Sequence, residues 1–276
     1  MTYKTAMVSL AVGQLNQARL EVAAQLAGVF GARLIGAAAA EFSPPLYFME
    51  GESAQRLIDQ GRAAVQDRLK ALESEFRAAT KNHSVEVEWR CAESFPTRFV
   101  VQQARACDII VVGEAAHGEL ADPYVRVDTS DLVLQVGRPL LVVPETCNWL
   151  DLRSALVAWK DTAEARRAVS DALPLLHKCR DVTVVEIVED EADRDAALSR
   201  VTDVAAWLLR HGINASQQVR EQYGDAARQL EQVASDVGAG VVIAGAYGRS
   251  RLSEWILGGV TRRLIDPSHR CSLLSH

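Results

Sequence analysis

The sequence predicts an α/β fold made of two Rossmann-like, doubly wound domains, each a five-stranded parallel sheet flanked by helices. Three observations lead there. Short apolar or β-branched runs alternate with helical stretches, which calls for parallel strands joined by crossover helices. Runs such as DIIVV (108–112) and GVVIAG (240–245) are nearly all apolar, as strands buried on both faces are. The series of runs then restarts midway, so one unit is written twice.

The first series reads as strands at Ala6–Val12, Arg33–Ala38, Ser84–Trp89, Asp108–Val112 and Leu140–Val143. The second has Ser154–Trp159, Val182–Val188, Ser216–Val219, Val241–Ala244 and Cys271–Leu274. Helices are predicted over Gln17–Phe30, Ala54–Thr80, Ala163–His177 and Asp193–His211. Both series run strand, helix, strand, long helix, strand, helix, most apolar strand, helix, short last strand. The break falls in Glu145–Asp151, and a cut after Cys147 gives domains 1–147 and 148–276. Each is an ordinary size for such a unit. Right-handed crossovers place the ligand crevice at the strand C-termini. His177 and His211 end predicted helices, where a partial positive charge suits the dipole. The acidic run Glu189–Asp195 reads as the charged first turn of a helix rather than a metal cluster.

With 49% hydrophobic and 24% charged residues, the chain has material for a core and is not disordered. Its net charge of −6 argues against bulk attraction to nucleic acid or to an acidic membrane. No run approaches the roughly 18 apolar residues of a membrane span, and the N-terminus reads as an edge of the fold rather than a signal peptide. Five cysteines, never closer than 16 residues, form neither a metal set nor a disulfide framework. They read as buried, reduced thiols of a cytoplasmic protein.

The informative segment is VVIAGAYGRSRLSEWILGGVTRRL, after the strongest strand of the second half. Glycines at a strand exit let backbone N–H groups approach a ligand. Gly258 and Gly259 would open a helix near Thr261, and a helix start with free N–H groups accepts phosphate. From Gly245 to Arg263 there are four arginines and one glutamate, a net +3 in an acidic protein. Arginine suits phosphate by its charge and its fork of donors. The alternative is glycines at tight turns and arginines on a solvated face.

The pattern Gly245-x2-Gly248-x9-Gly258 resembles the adenine-nucleotide motif of the universal stress protein family, G-x2-G-x9-G-[ST]. SALVAWKDTAEARRAVSDALPLL resembles that family's first strand and helix, so the resemblance covers the whole chain in its tandem, two-domain form. It implies that Gly245, Gly248, Gly258, Gly259, Val260 and Thr261 wrap ribose and phosphates, with Arg249 beside the phosphates. The implied ligand is ATP or another adenine nucleotide, with Mg. Two positions depart from the family. Lys160 stands where an Asp usually follows the first strand, with Asp161 next, able to substitute only if the turn shifts by one residue; Lys160 itself is the other group that would reach phosphate. Gly259 replaces the hydroxyl after the third glycine.

The equivalent segment of the first half has Gly113 and Gly118 at the wrong spacing and no Gly pair. From Gly113 to Val136 it carries five acids and one arginine, a net −4 that would repel phosphate. The first domain is therefore expected to lack nucleotide and to serve packing or partner binding. The chain has no Walker A sequence, GxGxxG or G-x-S-x-G elbow, which leaves NTPase, dinucleotide and serine-hydrolase chemistry without support. His117 reads as a polar turn residue, and the apolar stretch Ser43–Met49 as a contact surface, with a lid over the crevice or a buried connection as the alternatives.

These readings converge on a stress-response binding module, a sensor or regulatory protein with an unknown protein partner and no assigned catalysis. The alternatives are a scaffold with both sites lost, or a slow ATPase or autophosphorylating protein using Ser250, Ser253 or Thr261. The resemblance also implies pairing of the two halves through their last strands. A homodimer is a further expectation.

Overall fold

The computed structural model describes residues 2–43, 52–114, 122–246 and 269–276. The first half contains β1 (Thr5–Leu10), α1 (Gln17–Phe30), β2 (Arg33–Ala40), α2 (Glu52–Thr80), β3 (Val87–Glu93), α3 (Pro96–Gln103), β4 (Ile109–Gly113), α4 (Thr129–Gln135) and β5 (Leu140–Val143). The second contains β6 (Ser154–Trp159), α5 (Ala163–Leu176), β7 (Asp181–Val188), α6 (Arg194–Arg210), β8 (Ala215–Glu221), α7 (Ala226–Asp236), β9 (Val241–Gly245) and β10 (Cys271–Ser275).

The described strands form one sheet in the order β3-β2-β1-β4-β5-β10-β9-β6-β7-β8. Within each half every neighbouring pair is parallel. The order reverses beside β1 and beside β6, which makes each half doubly wound. The halves meet at one antiparallel seam, where Leu140, Leu141 and Val142 face Leu274, Leu273 and Ser272. The last strands thus cover one another's edges.

Helices cover both faces, because alternate strand residues point to opposite sides. Ala6 and Val8 of β1 and Val157 of β6 pack beneath α1, α2, α5 and α6 in one cluster that spans both halves. Met7, Ile110 and Val242 pack beneath α3, α4 and α7. Helix α2 buries Val65, Leu69, Leu72 and Phe76 at helical spacing. Phe76 lies against Trp89, ring centroids 5.6 Å apart. Gly36 in β2 makes room for them, since a Cβ there would stand 2.7 Å from Trp89 Cε3.

Some boundaries differ from the sequence reading. Strand β1 stops at Leu10, because the Asn16 amide folds back, donating to the Ala11 carbonyl and accepting from its N–H, both at 3.1 Å. Strand β3 lies later than Ser84–Trp89, its register set by β2, with Leu34 opposite Val87 and Ala40 opposite Glu93. Only Cys107 and Cys271 are buried thiols; Cys91 is exposed, and Cys147 and Cys179 are partly so. His117 and residues 44–49 of the apolar stretch lie outside the described residues.

A partly buried ion pair ties α6 to the sheet. Glu186 of β7, its side chain 8% exposed, accepts from Arg200 at 2.6 to 3.1 Å through both nitrogens of a fork. Arg200→Ala is expected to cost about 2–3 kcal/mol by leaving a buried carboxylate without its cation. Urea unfolding checks this, and Arg200→Lys should recover only part of the loss.

Candidate functional site

In the second half the strand order reverses between β6 and β9, where Ala158 lies opposite Ala244. Lys160 directly follows β6 and Gly245 ends β9. Lys160, Asp161 and Gly245, distant in sequence, therefore meet at the C-terminal edge of the sheet. Gly248, Arg249, Gly258, Gly259, Val260 and Thr261, together with Ser250 and Ser253, lie outside the described residues.

Gly245 has a definite steric reason to be glycine. A Cβ there would stand 2.5 Å from the Ala165 nitrogen and 2.6 Å from the Glu164 carbonyl carbon. The first turn of α5 thus rests on the strand end and brings the positive end of the helix to the crevice. Thr162 caps that helix, its hydroxyl oxygen accepting from the Ala165 N–H at 3.3 Å. Lys160 is exposed. Asp161, one residue further on, pairs with Arg166 at 2.5 Å, both side chains half exposed. Strand β6 ends at Trp159, so Lys160 is the first residue after it and Asp161 the second.

Sequence reasoning missed Glu164. Its Oε2 is buried without a hydrogen-bond partner among the described residues. The only signal was its position in the first turn of the helix after the strand.

The first half builds the same corner differently. Gly113 ends β4 as Gly245 ends β9, but a Cβ there would collide with the guanidinium of Arg19 from α1. Arg19 is 7% exposed. It donates to the Ser9 carbonyl at 3.3 Å and to Gln14 Oε1 at 2.9 Å. Burial lowers its pKa to about 10, against the opposing pull of Glu145, so it stays charged at neutral pH. Arg126 and Thr129 line the same small cavity. The Thr129 hydroxyl donates to the Gly113 carbonyl at 3.2 Å. To the five acids and one arginine of the loop, the structure adds Arg19, which enters this corner from α1. Helix α4 carries its own anion, since the Asp128 carboxylate accepts from Ser130 N at 2.8 Å and Asp131 N at 3.0 Å. Alongside runs an open cleft of about 560 Å³, with Arg68, Glu75, Asp122 and Arg126 among its walls.

A solved universal stress protein from Archaeoglobus fulgidus shares this architecture, with a TM-score of 0.70 at 13% identity, over 98% of this chain and 95% of that one. This is the universal stress protein fold. A functionally unknown protein from Pseudomonas aeruginosa shares it too, with a TM-score of 0.59 at 16% identity, over 99% of this chain and 92% of that one. No family model matches the sequence, and no curated protein does. Within the universal stress protein fold of this chain, the two switch points differ chemically. One holds a buried carboxylate oxygen with no partner among the described residues, together with an exposed lysine; the other holds a buried arginine. Among the described residues, no helix is long and apolar enough to cross a membrane.

Proposed function

We propose that the chain is a tandem member of the universal stress protein family, a stress-response module binding one adenine nucleotide in its second domain. The observation that carries this is the meeting of Lys160, Glu164 and Gly245 at the switch point from which the Gly245-x2-Gly248-x9-Gly258 spacing departs. Gly245 keeps the strand exit free of side chain. Glu164 Oε2 offers an acceptor to a ribose hydroxyl or an adenine amino group. Lys160 and Arg249 supply charge to the phosphates, and Gly258, Gly259, Val260 and Thr261 supply backbone donors. The ligand in this reading is ATP, with Mg.

In the same reading the domains are 1–147 and 148–276, and the first holds no nucleotide. Asp128 already sits where an anion would meet the start of α4, and Arg19 fills the corner beside Gly113. The protein acts in the cytoplasm as a sensor read by a partner protein, without turnover of its own. A homodimer would need a surface other than the β5–β10 seam, which the chain itself uses.

Calorimetric titration of the full chain with Mg-ATP tests the proposal. One site per chain is expected, lost in Gly258→Val and weakened in Glu164→Gln. Two sites would overturn the assignment of the first domain. No heat and no thermal stabilisation would make the protein a scaffold, and steady phosphate release abolished by Gly258→Val would make it a slow ATPase.

A further inference from the structure

Cys147 and Cys271 are 124 positions apart in sequence, yet their sulfurs lie 3.7 Å from each other. Cys271 opens β10 and is fully buried. Cys147 lies just past β5 in the segment joining the halves, and is partly exposed. That segment is held in place. The Cys147 N–H donates to the Pro144 carbonyl at 3.0 Å. Gln25 of α1 donates to the Asn148 carbonyl at 3.1 Å and accepts from the Leu150 N–H at 2.9 Å. Reaching the bond length of a disulfide, about 2 Å, asks for a side-chain rotation and a small approach rather than rearrangement of the fold.

The two thiols are unequal. Hydrogen bonding from the Cys271 thiol holds Cys147 down at about 6, outweighing partial burial and the charges of Asp151 and Glu114. The same contact, with burial, pushes Cys271 well up. Cys147 is the accessible thiolate and Cys271 the sheltered thiol beside it.

The geometry points to Cys147 and Cys271 as an oxidisable pair that takes a hydroperoxide and, once oxidised, staples the inter-domain segment to β10. The Cys147 thiolate attacks the terminal peroxide oxygen. The O–O bond breaks, Cys147 becomes a sulfenic acid, and the leaving hydroxide or alkoxide takes a proton from solvent. The Cys271 sulfur then attacks the Cys147 sulfur, so that the S–S bond forms and the S–O bond breaks. The hydroxyl leaves as water with the Cys271 proton. Two electrons pass from the thiols to the peroxide. The staple stands beside the short β5–β10 ladder and closes a loop over nearly all of the second half.

The test treats the full chain with a slight excess of hydrogen peroxide and maps the peptides without reduction. A Cys147–Cys271 cross-link is expected before exposed Cys91 reacts. The Tm should rise by about 3–5 °C, and dithiothreitol should reverse the change. Cys147→Ser, at a partly exposed position, should abolish both the cross-link and the rise. Cys271→Ala should leave Cys147 as a sulfenic acid that dimedone traps. If that variant does not fold, the native map and Cys147→Ser decide. Oxidation of Cys91 ahead of the pair, or Cys147 passing to sulfinic acid without a cross-link in the native chain, would overturn the assignment.

Discussion

Leu273→Asp is expected to split the molecule's unfolding into two transitions. Leu273 is fully buried in the middle of β10, with Leu141 of β5 on one side and Ile243 of β9 on the other. Loss of its apolar contacts and burial of a carboxylate together should cost about 4 kcal/mol or more. The antiparallel ladder at the seam covers only three facing pairs, so it has few hydrogen bonds with which to absorb the loss. Calorimetry should then show the halves melting separately, and protease should cut the joining segment near Glu145 and Asn148, both already exposed. Leu273→Ala, costing about 3 kcal/mol, should lower a single transition. One lowered transition for the aspartate variant as well would mean that helix contacts hold the halves together. One such contact is the Tyr3 hydroxyl donating to the Asp171 carbonyl of α5 at 2.7 Å.

Gly245→Val should be the second large loss, about 3 kcal/mol in urea unfolding, because the new side chain meets the backbone of Glu164 and Ala165 rather than a yielding side chain. Gly113→Ala provides the contrast. There the obstacle is the end of the Arg19 side chain, which can swing away at the expense of its bonds to Ser9 and Gln14, about 1–2 kcal/mol. Equal losses at the two glycines would show that α5 shifts as readily as an arginine side chain does.

Most of the architecture was legible because strands covered on both faces must be apolar throughout. IIVV and VVIA announce β4 and β9 without any alternation to interpret. Strand β3 was misplaced because it lies at the edge of the sheet, its residues only partly buried or exposed and none of them fully buried. Its register comes from pairing with β2, which no local pattern encodes. That Lys160 and Gly245 stand at the ends of β6 and β9 was legible from the apolar runs and the helix spacing that follows. Glu164 was not, because an acid in the first turn of a helix is what the dipole favours in any case. Arg19 was hidden for a related reason: it follows Gln17 and Ala18 on α1, and nothing local separates a buried arginine from a solvated one. The cysteines show the limit most plainly. Counting residues between them measures separation along the chain, whereas the seam brings the end of one half against the end of the other.

That seam also gives the molecule a polarity of its own. Every strand of one half runs opposite to every strand of the other, so an approximate dyad passes between β5 and β10. The two switch-point corners consequently face opposite poles of the sheet: Arg19 and Gly113 at one, Lys160 and Gly245 at the other. No single small molecule can touch both, and a partner gripping one pole leaves its opposite open. Between the two poles the halves are joined by the β5–β10 ladder, by the apolar cluster that spans both, and by the Tyr3–Asp171 contact.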